Sequence, residues 1–108
     1  MKNKYIGKWR IVEMELWDKD FIDLVAPGRI TIRKGGLGSF KFGAVQLDMD
    51  CRIEKQGDDE RLEFSLEGSD EGDPVSARGW ALVQGSEMTG RIYFHLGDDS
   101  GFKATKSQ

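Results

Sequence analysis

Two glutamates near the N-terminus could supply paired carboxylates for chemistry. The stretch GKWRIVEMELW covers residues 7 to 17, and strict alternation along a strand places Glu13 and Glu15 on the same face as Trp9 and Trp17. If that face pointed into the protein, two carboxylates would be buried. Their burial is costly unless they are paired, protonated or bound to a ligand. Inward glutamates would therefore mark a functional site.

Three arrangements of this strand are compatible with its sequence. With a bulge near residues 12–13, Trp9 and Ile11 face inward before the bulge. Met14 and Leu16 then face inward after it, and both glutamates reach water. A regular strand with the tryptophan face inward would instead bury the glutamates, and one with that face outward would need a partner subunit to cover it. The bulge is favoured, because bulges are frequent at barrel rims.

A second group of reactive side chains lies near the C-terminus. The stretch HLGDDSG brings His95 close in sequence to Asp98, Asp99 and Ser100, and a histidine beside carboxylates can bind a metal or transfer a proton. However, the chain has one histidine and one cysteine, and the pattern places that Cys51 on a core face, which excludes a structural zinc site. We therefore expect a hairpin turn here, with no metal and no cofactor.

Short alternating segments separated by glycine-bearing turns predict an all-β fold. The segment VQLDMDCRI shows the alternation most clearly, with apolar residues at every odd position from 45 to 53. No long helical periodicity competes with this pattern. The predicted strands lie near residues 8–17, 28–34, 39–55, 61–67, 76–84, 88–96 and 101–106.

These elements predict a small antiparallel up-and-down (meander) β-barrel, because closure removes exposed strand edges. The apolar face changes parity at Gly43, which indicates a bulge in one long strand or a corner between two strands, so the strand count is seven or eight. One short helix is predicted between the first two strands, with Asp18 as its cap and an apolar face of Phe21, Leu24 and Val25. A two-sheet sandwich is the alternative fold.

Length and charge limit the domain organisation and the partners. The 108 residues predict one domain, 1–108, with frayed termini at 1–6 and 105–108. The net charge is −3, and eight acids against one base lie between Asp58 and Asp73, which disfavours nucleic acid as a partner. No segment is apolar enough to span a membrane, and no apolar run follows the early lysines. Together with the single cysteine, this pattern predicts a cytoplasmic protein.

The tripeptide Gly7–Trp9 at the start of the first strand resembles the G-x-W signature of calycin-type barrels, which include lipocalins, fatty-acid-binding proteins and avidins. This resemblance implies that Trp9 packs across one barrel end against a basic side chain of the last strand. Lys103 or Lys106 would fill that role, where arginine is usual. The chain also resembles a group of small bacterial proteins of unassigned function, through GKW, ARGWA at 77–81 and HLGDDSGFKA at 95–104. That second resemblance implies a stand-alone domain and no particular activity.

These features favour a barrel that binds a small apolar or amphipathic ligand without catalysis, under a mouth covered by the predicted helix. The residues expected at this site are Glu13, Glu15, Trp17, Phe21, Phe42 and Trp80. The orientation of Trp80 stays open, since its strand alternates small residues with large ones. One alternative is a homodimeric interaction module that uses exposed aromatics such as Trp17, Trp80 or Tyr93. Another is a hydrolase or isomerase that uses barrel carboxylates with His95.

Overall fold

Eight antiparallel strands form a closed barrel in the computed structural model, which describes residues 1–107. Each strand pairs with its neighbours in sequence, and β1 pairs with β8 to close the sheet. The elements are β1 (Gly7–Met14), α1 (Lys19–Ile22), β2 (Arg29–Ile32), β3 (Leu37–Phe42), β4 (Val45–Gln56), β5 (Asp59–Asp70), β6 (Asp73–Gln84), β7 (Glu87–Phe94) and β8 (Asp99–Ser107). The predicted all-β meander barrel with a short helix between the first two strands is confirmed.

The parity change at Gly43 is a corner between two strands. The chain turns at residues 43–44, where Gly43 has a φ of 56° and donates its N–H to the carbonyl of Ile22 at 2.8 Å. The predicted strand 39–55 is therefore β3 and β4, and the barrel has eight strands. The strands β5 and β6 extend beyond their predicted bounds, because tight turns at residues 57–58 and 71–72 let pairing continue to the hairpin tips.

The predicted bulge in the first strand is confirmed. The register of β1 against β8 shifts between Ile11 and Glu13, so Trp9, Ile11 and Met14 are all buried although they do not share one parity. Glu13 reaches solvent at the bulge. Leu16, predicted to face inward, is instead 49% exposed, because β1 ends at Met14 and the chain bends away from the sheet.

Aromatic side chains fill the middle of the barrel. The ring of Phe40 on β3 lies 6.2 Å from the ring of Phe64 on β5 and 5.3 Å from the ring of Phe102 on β8, measured between centroids. These strands lie on different sides of the barrel, so the three rings meet across its interior. The space available to a ligand therefore lies at the barrel ends or on the outer wall rather than in the centre.

Trp9 seals the end of the barrel opposite α1, which we call the closed end. It is fully buried, its indole N–H donates to the carbonyl of Tyr5 at 3.0 Å, and the ammonium of Lys106 lies 5.1 Å from its ring centroid. Lys106, and not Lys103, is thus the basic partner from the last strand. Alternation along β8 explains this, because Phe102, Ala104 and Lys106 share the inward parity whereas Lys103 points to solvent.

The N-terminal residues pack over the closed end. Tyr5 is 1% exposed, and its hydroxyl donates to Glu60 at 2.7 Å, while the ammonium of Lys2 donates to the same carboxylate at 2.6 Å. Residues 105–107 belong to β8. Gln108 lies outside the described residues. The carboxylate of Glu60 therefore joins the N-terminal segment to the tip of the β4–β5 hairpin.

The ion pair at Glu60 predicts a pH-dependent contribution to stability. Hydrogen bonds from Lys2 and Tyr5 lower the pKa of Glu60 from 4.5 to about 2. Because the folded pKa is depressed, the stabilisation is present above pH 4.5 and is lost as the pH falls to about 2. We expect E60Q to lower Tm at pH 7 and to leave Tm unchanged near pH 2, measured by thermal unfolding across this range. The matched control E54Q removes an exposed acid of β4. An equal loss of Tm at both pH values in E60Q would contradict the proposed linkage.

Candidate functional site

Four aromatic rings gather at the barrel end that carries α1, which we call the helix end. Trp17 lies 4.9 Å from Phe42, 6.2 Å from Phe21 and 6.3 Å from Phe94, measured between ring centroids. Phe42 is fully buried and forms the floor, whereas the other three rings are half-buried. We call Trp17, Phe21, Phe42 and Phe94 the mouth cluster. It presents partly exposed aromatic surface directly above a filled core.

The segment that carries Trp17 is fixed to β8 by backbone hydrogen bonds. The amide of Glu15 donates to the carbonyl of Gly101 at 3.0 Å, and the amide of Leu16 donates to the hydroxyl of Ser100 at 3.1 Å. The Ser100 hydroxyl in turn donates to the carbonyl of Gly101 at 2.8 Å. Ser100 is fully buried, so its hydroxyl satisfies a backbone group that has left the sheet at the end of β1. The result is a tryptophan held across the mouth.

The helix α1 positions Phe21 and is capped as predicted. The carboxylate of Asp18 accepts a hydrogen bond from the amide of Phe21 at 2.9 Å. Its inward residue is Ile22, which is fully buried. The predicted apolar face is corrected in part, since Leu24 and Val25 are 67% and 66% exposed. The helix ends after one turn, at Ile22, so Leu24 and Val25 are not part of it and do not share its inward face.

A two-pronged ion pair attaches the α1–β2 connection to the first strand. Both guanidinium Nη atoms of Arg10 donate to the carboxylate of Asp23 at 2.8 Å, and the amide of Gly28 donates to the same group at 2.9 Å. The ammonium of Lys19 adds a contact at 2.6 Å. These donors, the Arg10 guanidinium first, hold the pKa of Asp23 well below its ordinary range. The connection beside the mouth is thus clamped by a charged carboxylate.

A cleft of about 330 Å³ opens beside the mouth cluster. Its apolar wall contains Trp17, Phe21 and Phe94 of the cluster, together with valines and a proline from β4 and β6. Its polar lining includes Asp70, His95 and Asp98, and among residues 1–107 no lysine or arginine lines it. The cleft therefore combines exposed ring surface with two carboxylates and carries a negative local charge at neutral pH.

The structure brings Trp17, Phe21 and Phe42 together, but it places the other predicted site residues elsewhere. Glu13 is exposed on the outer wall opposite Lys103 in the register. Glu15 also lies outside, where its carboxylate accepts hydrogen bonds from Arg91 at 3.2 Å and from the amide of Gly101 at 3.3 Å. The bulge turns the first of these glutamates outward, and the end of β1 turns the second. Neither carboxylate faces the barrel interior.

Trp80 lies on the outer wall, far from the mouth in the sheet register. It is half-buried, and the guanidinium of Arg61 lies 5.2 Å from its ring centroid. The small residues of its strand face inward instead. They leave no open space, because a side chain at Gly79 would meet the ring of Phe64 at 2.7 Å. Core aromatic rings occupy the space inside the barrel next to these small residues.

Several residues of the mouth were not identified from the sequence. Phe94 was recognisable as an inward residue of its strand, but its place at the rim depends on where β7 ends. Asp70 and Val75 reach the cleft because the β5–β6 hairpin is longer than its alternation indicates. Asp98 lies in the β7–β8 turn and also lines the cleft. Each of these positions depends on the register between strands, which sequence alternation alone leaves undetermined.

The reactive groups proposed for catalysis or metal binding do not form one site: His95 and Asp98 line the cleft at the mouth, whereas Glu13 and Glu15 lie on the outer wall. Among residues 1–107, no group of three or more His, Cys, Asp or Glu side chains is placed to hold a metal ion. His95 is exposed at the β7–β8 turn, where its amide donates to the carbonyl of Ser76 at 2.9 Å. Cys51 is buried in the core, and this burial raises the pKa of its thiol to about 12. A thiol with that pKa is protonated at neutral pH and is a poor nucleophile.

The helix in the described part of the chain is far too short to cross a membrane.

Comparison of the chain with protein-family models, with curated proteins and with solved structures finds no match. The barrel topology and the geometry of its two ends are therefore the basis for any functional argument.

The clamp at Asp23 predicts a local effect on the rim. We expect D23N to increase amide hydrogen exchange in residues 18–28 by about tenfold, because Arg10 and Lys19 lose a charged partner. The measurement is hydrogen exchange followed by mass spectrometry at neutral pH. The matched control is D20N, which removes an exposed acid from the same helix. Unchanged exchange in D23N, or an equal increase in D20N, would show that this ion pair does not fix the connection.

Proposed function

We propose that this protein binds a small amphipathic molecule at the helix end of the barrel and that it does so without catalysis. The observation that carries the proposal is the mouth cluster. Trp17, Phe21 and Phe94 keep part of their ring surface exposed beside a cleft, although the core beneath them is filled. Exposed aromatic surface in a concave site is typical of ligand binding, because covering it with an apolar group is favourable.

The charge of the cleft indicates which amphipathic molecules fit. Asp70 and Asp98 line the cleft, and none of the described residues that line it is a lysine or an arginine. An anionic head group would therefore be repelled. A cationic head group would gain from both carboxylates and from the faces of the aromatic rings. The proposed ligand class is therefore a small molecule with an apolar body and a positively charged nitrogen.

The calycin resemblance supports the same class of function. A closed meander barrel whose first-strand Trp9 seals one end against a basic residue of the last strand is the arrangement that the resemblance implies. Ligand sites of β-barrels occur preferentially at the barrel mouth. In this protein the central aromatic rings shift the proposed site from the barrel interior to the mouth.

Two probes of opposite charge test the proposal. Benzyltrimethylammonium and phenylacetate share an aromatic ring and differ in the sign of the charge. The indole N–H signals of Trp9, Trp17 and Trp80 report on the closed end, the mouth and the outer wall in one NMR titration. We expect the cation to shift the Trp17 signal saturably and to leave Trp9 unchanged, while phenylacetate binds far more weakly.

Variants separate the apolar and the ionic parts of this binding. We expect W17A to weaken binding of the cation by about tenfold, since it removes the main aromatic surface. We expect D70N and D98N to weaken it by about two- to fivefold each, as partly exposed ionic contacts do. W80A and D48N are matched controls on the outer wall. Failure of both probes to shift Trp17, or equal affinity for both, would contradict the proposal.

Self-association through the same end is the second candidate. Leu96 is 94% exposed and adopts a positive φ of 57° at the β7–β8 turn, and Leu16 and Leu24 are also exposed at the helix end. An exposed leucine in a backbone conformation that disfavours it calls for an explanation, and burial against a second copy would supply one. The molecular mass in solution separates this candidate from ligand binding.

The positions of the residues proposed for catalysis do not support the catalytic alternative. It required barrel carboxylates near His95, but Glu13 and Glu15 lie on the outer wall. We therefore do not propose a hydrolase or an isomerase.

A further inference from the structure

A second concave site lies on the outer wall of the barrel, beside the α1–β2 connection. This cleft has a volume of about 350 Å³ and is lined by three groups of residues. They are Val25, Ala26 and Pro27 of the connection, outward residues of β1, β2 and β3, and Phe42, Gly43, Val45 and Gln46 at the corner between β3 and β4. We call it the outer-wall cleft. It adjoins the cleft at the mouth, with which it shares Val45, and its charge has the opposite sign.

Cations lie side by side in this part of the sheet. In the strand register, Arg10 on β1 is opposite Arg29 on β2, and Arg29 is opposite Lys41 on β3. Like charges in directly paired positions repel each other. The charge of Arg10 is balanced by Asp23, but within residues 1–107 neither Arg29 nor Lys41 forms an ion pair. Two adjacent cations are thus left without a counter-charge in a protein whose net charge is −3.

Polar groups complete the lining below these cations. The next row of the outer face contains Lys8, Thr31 and Ser39, which are paired in the register across the same three strands. The hydroxyls of Thr31 and Ser39 are partly buried and line the cleft, as does Lys8. Ammonium, guanidinium and hydroxyl donors therefore converge on one small area.

We propose that the outer-wall cleft binds a small phosphate monoester. A phosphoryl group offers three oxygens and close to two negative charges, which match a guanidinium, two ammonium groups and two hydroxyl donors. The organic group of the ester lies against Val25 and Pro27, which form an apolar wall beside the cations. This wall distinguishes the site from one for a bare inorganic ion.

The boundary of the cationic area favours a compact ligand over a polymer. On β4 the residue that pairs with Ser39 is Asp48, and the acidic β5 residue Glu67 pairs with Asp48 in turn. A nucleic acid strand extending across the sheet would therefore meet carboxylates within two strands of the cleft. A single phosphate group fits between the connection and this acidic border.

Calorimetry with phenyl phosphate at low ionic strength tests this proposal on the intact protein. We expect saturable binding of phenyl phosphate, weaker binding of inorganic phosphate, and none of phenol. R29Q and K41Q are each expected to weaken binding of phenyl phosphate by about tenfold, because each removes a charged donor. The matched control R33Q removes the same charge just after β2, outside the cleft, and is expected to bind like the unmodified protein.

Four results would overturn the proposal. The first is no saturable heat with phenyl phosphate at millimolar concentration. The second is an equal loss of affinity in R33Q, which would indicate a general charge effect. The third is equal affinity for inorganic phosphate and phenyl phosphate, which would remove the role of the apolar wall. The fourth is binding to vesicles of phosphatidylcholine and phosphatidic acid without binding of phenyl phosphate, which would assign the cations to a lipid surface. Far-ultraviolet circular dichroism confirms that each variant is folded before it is titrated.

Discussion

The register shift between Ile11 and Glu13 is the constraint on which the rest of this structure depends. One extra residue in β1 lets Trp9 and Met14 both point inward despite their opposite parity, and it turns Glu13 toward solvent. Without the shift, an inward tryptophan face would bury two carboxylates, which is costly unless they are paired. The bulge thus resolves a conflict between packing and charge that is visible in the first strand.

The two barrel ends are closed by different interactions, and this difference creates the candidate site. At the closed end, the N-terminal segment, Trp9 and Lys106 bury the large side chains, and Glu60 ties that segment to a hairpin. At the helix end, α1 has a single turn, and its clamp is an ion pair between Arg10 and Asp23. A one-turn helix cannot cover four aromatic rings, so part of the mouth cluster stays exposed.

The Asp18 cap and the apolar residues after it predicted the short helix, and its expected place over the mouth brought Trp17, Phe21 and Phe42 together. Alternation along the chain was sufficient to predict the class of fold. It also placed Cys51 in the core, because VQLDMDCRI alternates without interruption. The features that it did not predict depend on non-local register. The exposure of Leu16 and the position of Asp70 at the mouth both depend on where strands end and how they pair. A one-residue change in register moves a side chain to the other face, and the register depends on turn geometry as well as on the alternation of the sequence.

The cleft at the mouth and the outer-wall cleft lie near the same end of the barrel and carry opposite charges. Carboxylates line the first and cations line the second, and the connection clamped by Asp23 forms one wall of the second. The central claim is that the mouth cluster holds a small ligand. The most direct measurement is native mass spectrometry of the protein purified without denaturation, compared with W17A. We predict a monomer with an additional small mass that is lost on unfolding and is absent from W17A. A ligand-free dimer, or an additional mass that W17A retains, would contradict it.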